Sequence, residues 1–362
     1  SRYNNKTFRG LPPPIADSLP DLFGNMIFKE WLESSNKAFQ QISIIEQLAY
    51  VSNRGMGALE YYPAKAIPKN TSINLTEIIA VLRQVMDQKR KTKGEQLNNE
   101  ALLNIFKIGT SAGGARPKIL ISENKTTGAI IPGDLEYSGD YNHYLMKLSL
   151  KEDPAYSPEL IEYTYYRVAQ ALQLRMMPSK LVNDRHFSTL RFDRQNGKKQ
   201  HVLTACGITG WDFKDPAVSS YEGLFDLALF LKIPHREIEA LYKRMVFNLV
   251  FSNIDDHLKN HSFIYNDATD QWNLAPAYDL TYPLDPRMNF TRMSRALSIN
   301  NKRTDITLKD LLTLADEYTV KNPKGIISEV QGAIPYWSKS AMALGLPLKI
   351  VETIKKQFQY LV

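Results

Sequence analysis

The sequence predicts an α+β fold in two lobes, with a mixed α/β N-terminal lobe and a mostly α-helical C-terminal lobe. Three observations predict it. Short β-type runs at 119–121, 144–148, 186–192 and 201–204 are confined to the first part of the chain. From about Asp215 the apolar residues recur at helical spacing. Within this second region, 247–279 reads as helix, loop, strand, turn and strand, with Asp and Asn side chains at the element ends.

Composition bounds the answer first. The chain has 362 residues, 43% hydrophobic and 23% charged, which is ordinary for a globular protein long enough for two lobes. It contains no run of 18 apolar residues, so no membrane span is expected, and it does not open on a charged-then-apolar signal. The single Cys206 excludes an intrachain disulfide and a multi-cysteine metal site. This suits a reducing, cytoplasmic setting. A net charge of +7 permits association with nucleic acid or acidic proteins without requiring either.

Each element can then be justified in order. The chain starts at Ser1 without a methionine, and a further upstream segment is expected. Leu11-Pro12-Pro13-Pro14 reads as a stiff extended lead-in. Asp17-Ser18-Leu19-Pro20-Asp21 supplies start signals for a helix over 21–32, whose apolar face is Phe23, Ile27, Phe28, Trp31 and Leu32. A second helix is expected over 42–51, and 54–61 reads as a turn feeding a strand. Ile78, Ile79, Leu82 and Val85 mark a helix over 75–89 that runs into Lys89-Arg90-Lys91-Thr92-Lys93, a basic end that solvation explains most simply. Helices are expected at 158–174, 221–231, 234–252, 307–318, 326–337 and 348–360, with Thr307 and Asp310 as a capping box. Asn196-Gly197 is a hairpin signal joining the strands at 186–192 and 201–204, the expected joint between lobes.

The stretch 108–118, Ile-Gly-Thr-Ser-Ala-Gly-Gly-Ala-Arg-Pro-Lys, is small and glycine-rich, so its backbone N–H groups can approach phosphate oxygens. It is not a Walker A loop, because Ala115 stands where that motif needs lysine. Lys147 lies in an apolar strand, and Glu162 follows fifteen residues later on a helix. Asp255 precedes Asn260 by five positions, and Asp279 comes nineteen residues after that. Phosphoryl transfer uses this order: one carboxylate at the nucleophile's proton, then an amide and a carboxylate on magnesium. Protein kinases write it H-R-D-x-x-x-x-N and then D-F-G. Here the spacing is kept and the flanking letters differ. Alone the spacing is common; its place at element ends gives it weight.

With these residues in view, the chain resembles the HipA-type serine/threonine kinases, toxin components of bacterial persistence toxin–antitoxin modules. The matching pieces are 16–21, 55–59, 111–118, Arg191-Phe192-Asp193-Arg194, Asp255-Asp256-His257-Leu258-Lys259-Asn260 and Ala277-Tyr278-Asp279, in family order. The resemblance implies a two-lobed protein-kinase-like fold. It implies Asp255 as catalytic aspartate, Asn260 and Asp279 as magnesium ligands, Lys147 as the ATP-phosphate lysine and Glu162 as its helical partner. Ser111, Gly113 and Gly114 would form the phosphate loop with Lys118 beside it. Ser111 would be the autophosphorylated serine whose modification inactivates the enzyme. Arg191 and Phe192 fall at the hinge that meets adenine, and His257 falls next to the nucleotide. The implied cofactors are ATP and Mg²⁺. The implied partners are a protein substrate, such as an aminoacyl-tRNA synthetase, and a helix-turn-helix antitoxin of HipB type that brings DNA into the complex. The implied organisation is 1–66 as the remainder of the N-terminal subdomain, 67–194 as N-lobe and 195–362 as C-lobe.

Two other readings stay open on the residues. An antibiotic-type small-molecule phosphotransferase also carries Asp-x-x-x-x-Asn and a later Asp. A non-catalytic co-repressor acting on DNA with an antitoxin would use basic residues such as Arg292, Arg295, Lys302 and Arg303, which are otherwise ordinary surface charge.

Overall fold

The run Lys118-Ile119-Leu120-Ile121-Ser122 becomes the second strand of a five-stranded antiparallel sheet in the computed structural model of the chain. The structure describes residues 3, 6–65, 74–87, 102, 103, 105, 106, 116–133, 138–150, 156–288 and 294–361. The described chain falls into two compact units. One comprises Ser1–Pro14, Asp153–Pro178 and Val202–Val362; the other comprises Ile15–Glu152 and Ser179–His201.

The sheet belongs to the second of these. Its strands are β1 (Lys118–Asn124), β2 (Ile130–Pro132), β3 (Tyr141–Lys147), β4 (Ser179–Val182) and β5 (His186–Leu190), in the order β2-β1-β3-β5-β4. Side chains alternate across a strand, so the register decides what each face presents. Ile119, Ile121 and Met146 face a core filled by helices Leu22–Ser34 and Leu75–Met86, with Tyr50 of helix Ile44–Val51 and Phe106 completing it. Phe28, Trp31, Tyr50 and Phe106 pack as one aromatic group, with Trp31 stacked on Phe106 at 4.3 Å between centroids. The opposite face carries Lys118 against Lys147 and Ser122 against His143.

Local signals set most of the element ends. Helix Ile44–Val51 starts at a capping box between Ser43 and Glu46. Thr307 and Asp310 form the same device at helix Leu308–Glu317, as the sequence predicts. Four expectations are corrected. The extended lead-in expected over 11–14 gives way at Pro13 to a four-residue helix, Pro13–Ala16, since proline fits the first turn of a helix. The stretch 54–61 makes no strand. Its backbone is taken up by side chains instead, since Asp193 accepts from Gly57 N at 2.8 Å and Arg194 donates to Gly55 O at 2.9 Å and Gly57 O at 3.0 Å. Asn196 and Gly197, both at positive φ, turn only the two-residue strands β6 (Arg194–Gln195) and β7 (Lys198–Lys199). The strand β5 pairs with β3 and β4, whereas β8 (His201–Thr204) pairs in a separate sheet. The helix expected over 326–337 is two helices, Pro323–Gly332 and Ile334–Ala343. Pro335 has no N–H to continue the first helix, and its ring clashes with the carbonyl four residues back.

Asp193 is buried between two guanidiniums. Arg191 donates to it at 2.9 and 2.7 Å and Arg194 at 2.8 Å. Burial opposes its ionisation, but the two arginines outweigh that and hold its carboxyl far below the usual range. His143 and His186 are buried in the same unit. Burial first, then nearby arginines, lowers each imidazole from 6.5 to about 4. The unfolded chain therefore binds protons at these two sites that the folded unit refuses between pH 6.5 and 4. Stability should fall as pH drops through that window, by up to roughly 2 kcal/mol per histidine between pH 7 and pH 5. Urea unfolding at the two pH values measures the loss, and His186→Gln should remove the share of that one histidine. A flat profile would show that these histidines charge freely in the folded state.

The first unit is built on helix His235–Val250, which is buried along most of its length. Tyr165 from helix Pro158–Ala171 meets Phe247, Phe251 and Trp337 edge-on, and Phe358 closes the group against Trp337 at 4.8 Å. The predicted hairpin forms as β9 (Ser262–Asn266) and β10 (Gln271–Leu274), with β8 on the other side of β9. Among the described residues no helix is long and apolar enough to cross a membrane.

Candidate active site

The helix His235–Val250 runs directly into the loop that carries Asp255. Ser252 takes a left-handed conformation at φ 51°, and Asn253 N bonds back to Asn248 O at 2.9 Å, which ends the helix and turns the chain. The next residues alternate in exposure. Asp255 is exposed, Asp256 is 1% exposed, His257 is half-buried and Leu258 is buried. Successive side chains of an extended segment point to opposite sides, so burying Asp256 and Leu258 turns Asp255 outward. A single 3₁₀ turn, Leu258–Asn260, follows.

That turn closes on the loop. Asn260 Nδ2 donates to Asp255 O at 2.8 Å. The amide nitrogen is thereby committed to the backbone, and the amide oxygen is turned away from it. Asp279 sits at φ 54°, a left-handed conformation that Asp tolerates better than most residues. Two contacts fix its approach. The hydroxyl of its neighbour Tyr278 donates to Lys259 O at 2.8 Å and meets Ser262 Oγ at 2.5 Å. Asn253 Nδ2 reaches Asp279 O at 3.3 Å. The 3₁₀ turn, the start of β9 and the loop thus all bear on the segment around Asp279. Ala277 N adds a bond to Arg175 O at 2.7 Å.

The structure therefore brings Asp255, His257, Asn260 and Asp279 into one bonded neighbourhood. His257 lies with its ring tilted at 53° and 5.0 Å from the Phe213 ring, and its Nδ1 is buried with no hydrogen-bond partner among the described residues. His261, just beyond, is fully buried. Burial and then Arg244 hold it neutral, well below the usual imidazole range. In the other unit, Lys118 and Lys147 are directly opposite across β1 and β3, 4% and 5% exposed, with Lys147 Nζ 6.0 Å from the Phe187 ring centre. Arg191 is buried against Asp193, its N–H bonded to His143 O at 2.8 Å, and Phe192 follows it. Glu162 lies buried on helix Pro158–Ala171, in the same unit as Asp255. Ser111, Gly113 and Gly114 lie outside the described residues.

Sequence reasoning missed the polar network behind the loop. Tyr221 Oη donates to Asp256 Oδ2 at 2.6 Å, and Asn248 Nδ2 donates to Tyr221 Oη at 3.0 Å. Asn253 Nδ2 donates to Asn248 Oδ1 at 3.0 Å, and Arg295 Nη2 reaches Asp256 Oδ2 at 2.5 Å. The doubled Asp255-Asp256 was the available signal, since two adjacent carboxylates on a loop cannot both face inward. Of the basic cluster, the surface reading is corrected for Arg295, whereas Lys302 is exposed as expected. Arg295 is 4% exposed and ion-paired, Lys302 bridges to Asp310 at 2.8 Å, and Arg303 donates to the carbonyls of Pro216 and Ser219. Arg292 lies outside the described residues.

A two-lobed α+β fold of the protein-kinase-like class, with an Asp-x-x-x-x-Asn loop tied to a later Asp, is the class this architecture defines. Residues 110–337 match the family described as HipA-like C-terminal domain, and the chain belongs to that family. A chain of the solved Shewanella oneidensis MR-1 toxin–antitoxin complex of HipA, HipB and operator DNA shares the fold. It does so at a TM-score of 0.63 and 19% identity, over 91% of this chain and 80% of that one. The Helicobacter pylori proinflammatory kinase CtkA aligns at a TM-score of 0.39 and 12% identity, over 60% of this chain and 88% of its own. That likeness is too distant to bear on the fold. None of the curated proteins matches the chain.

Proposed function

We propose that this protein is an ATP- and Mg²⁺-dependent serine/threonine protein kinase that acts as a growth-inhibiting toxin of HipA type. The observation that carries the reading is the pair of hydrogen-bonded segments that bear Asp255, Asn260 and Asp279. An exposed carboxylate stands on a loop whose amide neighbour is oriented by its backbone, beside a second carboxylate anchored through Tyr278.

The donor chemistry fits the group it would hold. An amide oxygen and a carboxylate are hard ligands, and magnesium is commonly held by one or two carboxylates plus substrate phosphates. When bound, the ion neutralises charge on the nucleotide phosphates. Asn260 and Asp279 would hold it. Asp255 would accept or orient the proton of the attacking hydroxyl. Lys118 and Lys147, side by side on one sheet face, would present positive charge suited to a polyphosphate. The family resemblance assigns Lys147 and the 111–114 loop to the nucleotide phosphates, and Glu162, Arg191, Phe192 and His257 to nucleotide binding.

The Shewanella structure supports a HipB-like antitoxin as partner, with DNA met through that complex. An aminoacyl-tRNA synthetase is the target class the family resemblance favours. Ser111 is the proposed autophosphorylation site. A phosphate there would bring roughly −1.5 to −2 charges into the loop proposed to cradle the nucleotide, so the modified form should bind ATP weakly. Intact-mass analysis of the active protein and of Asp255→Ala tests this: a single adduct on Ser111 in the active protein alone is expected.

The direct test is incubation with labelled ATP and Mg²⁺ against a cell lysate, with and without EDTA, and mass spectrometry of phosphosites. Metal-dependent label on protein serine or threonine is expected. Label appearing only on small hydroxyl compounds would favour the antibiotic-type phosphotransferase. Lys147→Ala should cut kcat/KM for ATP by roughly 10²–10³-fold, the scale for losing one fixed electrostatic stabiliser. A dead Lys118→Ala beside a fully active Lys147→Ala would exchange the two roles.

A further inference from the structure

We infer that Arg295 is a positioning residue for the 254–260 loop, acting through its buried ion pair with Asp256 to hold Asp255 outward and Asn260 in register. The kinetic part of this inference rests on the phosphoryl-transfer reading of the loop; the structural part does not.

Arg295 lies 39 residues beyond Asp256 and is 4% exposed. Burial opposes its charge, and Asp256 more than restores it. Asp256 Oδ2 receives two donors, Arg295 Nη2 and Tyr221 Oη. From Tyr221 the bonds continue through Asn248 to Asn253, whose amide also reaches Asp279 O. One connected series of polar contacts therefore runs from Arg295, past the start of the loop, to the backbone of the second metal-ligand candidate. The backbone follows the same route, since Ala296 N donates to Ile254 O at 2.8 Å.

The anchor is itself held. Arg303 donates to the carbonyls of Arg295 and Ala296 with one nitrogen, and to Pro216 O and Ser219 O, both at 2.8 Å, with the other. Arg295 N returns a bond to Arg303 O at 3.2 Å. A carboxylate buried against one guanidinium cannot swing out without leaving that charge uncompensated. Because Asp256 and Asp255 are consecutive, fixing the first inward fixes the second outward. A catalytic carboxylate needs that restriction, since reactivity falls steeply with small misplacements.

The test compares Arg295→Met, Arg295→Lys and Tyr221→Phe with the unaltered protein. Amide hydrogen exchange is followed at 254–260 and at helix Leu308–Glu317, and kcat and KM for ATP are measured in parallel. Arg295→Met should speed exchange at 254–260 at least about tenfold while helix Leu308–Glu317 keeps its protection. Its kcat should fall at least about tenfold with KM for ATP within about twofold, the signature of lost positioning rather than lost binding. Arg295→Lys should recover most of both, and Tyr221→Phe should lie between. If Arg295→Met does not fold, Tyr221→Phe and Arg295→Lys decide by the same readouts. Unchanged exchange at 254–260, or exchange that rises equally throughout the unit, overturns the inference. Absence of any phosphoryl transfer in the unaltered protein would instead refute the proposed function, and the exchange arms would still decide the tether.

Discussion

Asp255→Ala is expected to abolish detectable phosphoryl transfer, by at least the roughly 10²–10⁴-fold a positioned acid–base group contributes, and to leave the unit folded. The structural half of this expectation follows from which atoms hold the loop. Asn260 is held by the backbone carbonyl of Asp255, not by its carboxylate, so alanine preserves the bond that closes the 3₁₀ turn. The side chain is exposed, and substitutions at such positions usually change stability by no more than about 0.5 kcal/mol. Thermal unfolding alongside the labelled-ATP assay separates the two effects. Wild-type transfer by a folded Asp255→Ala protein would remove Asp255 from the chemistry. The companion variant is Asp279→Asn, chosen because asparagine tolerates the left-handed backbone at φ 54° where alanine would strain it. It should weaken Mg–ATP binding as well as turnover, because a neutral amide replaces a charged ligand. Unchanged Mg²⁺ dependence in Asp279→Asn would place the metal elsewhere.

Asp193→Ala is expected to destabilise its unit by about 3–5 kcal/mol, the cost of breaking a buried ion pair from one side. Arg191 and Arg194 would both stay buried with their shared carboxylate gone, and Gly57 N would lose its acceptor. A loss of that size is a large fraction of the stability of an ordinary domain. Denaturant unfolding at pH 7 measures it. Adding Arg191→Met should recover part of the loss, because it removes one of the two charges that Asp193 balances, and this non-additivity is the mark of a coupled pair. A cost below about 1 kcal/mol would mean that water or another anion reaches the arginines.

These two sites differ in how far the sequence reveals them. Asp255 and Asn260 are five residues apart and bond to each other, so a short pattern contains the whole relation. The capping boxes at Ser43–Glu46 and Thr307–Asp310, and the β9–β10 hairpin, are legible for the same reason: both partners lie within a turn or two of chain. The apolar spacing of Phe23, Ile27, Phe28 and Leu32 likewise determined a helix and its buried face. Pro335 was a visible break within the helix expected over 326–337, and its missing N–H carried the information unaided.

Only the tertiary structure decided which charges are inside. Arg295 reads as surface charge because nothing within several residues neutralises it; its partner Asp256 is 39 positions away. Arg194 gives no sign of serving the 54–61 stretch, since its bonds to Gly55 and Gly57 span 139 and 137 residues. The 54–61 stretch has strand-like letters and forms no strand; side chains from afar satisfy Gly55 O, Gly57 N and Gly57 O instead. Asn196-Gly197 makes its turn as the sequence determined, but the pairing of β5 and β8 with other strands was settled by the sheets available to them. The physical reason is common to all four cases. Propensity, capping and turn geometry are energies of neighbouring residues and are written locally. Desolvation and ion pairing are energies of what the fold brings near, and a charge is admitted to the interior only when the fold supplies its partner.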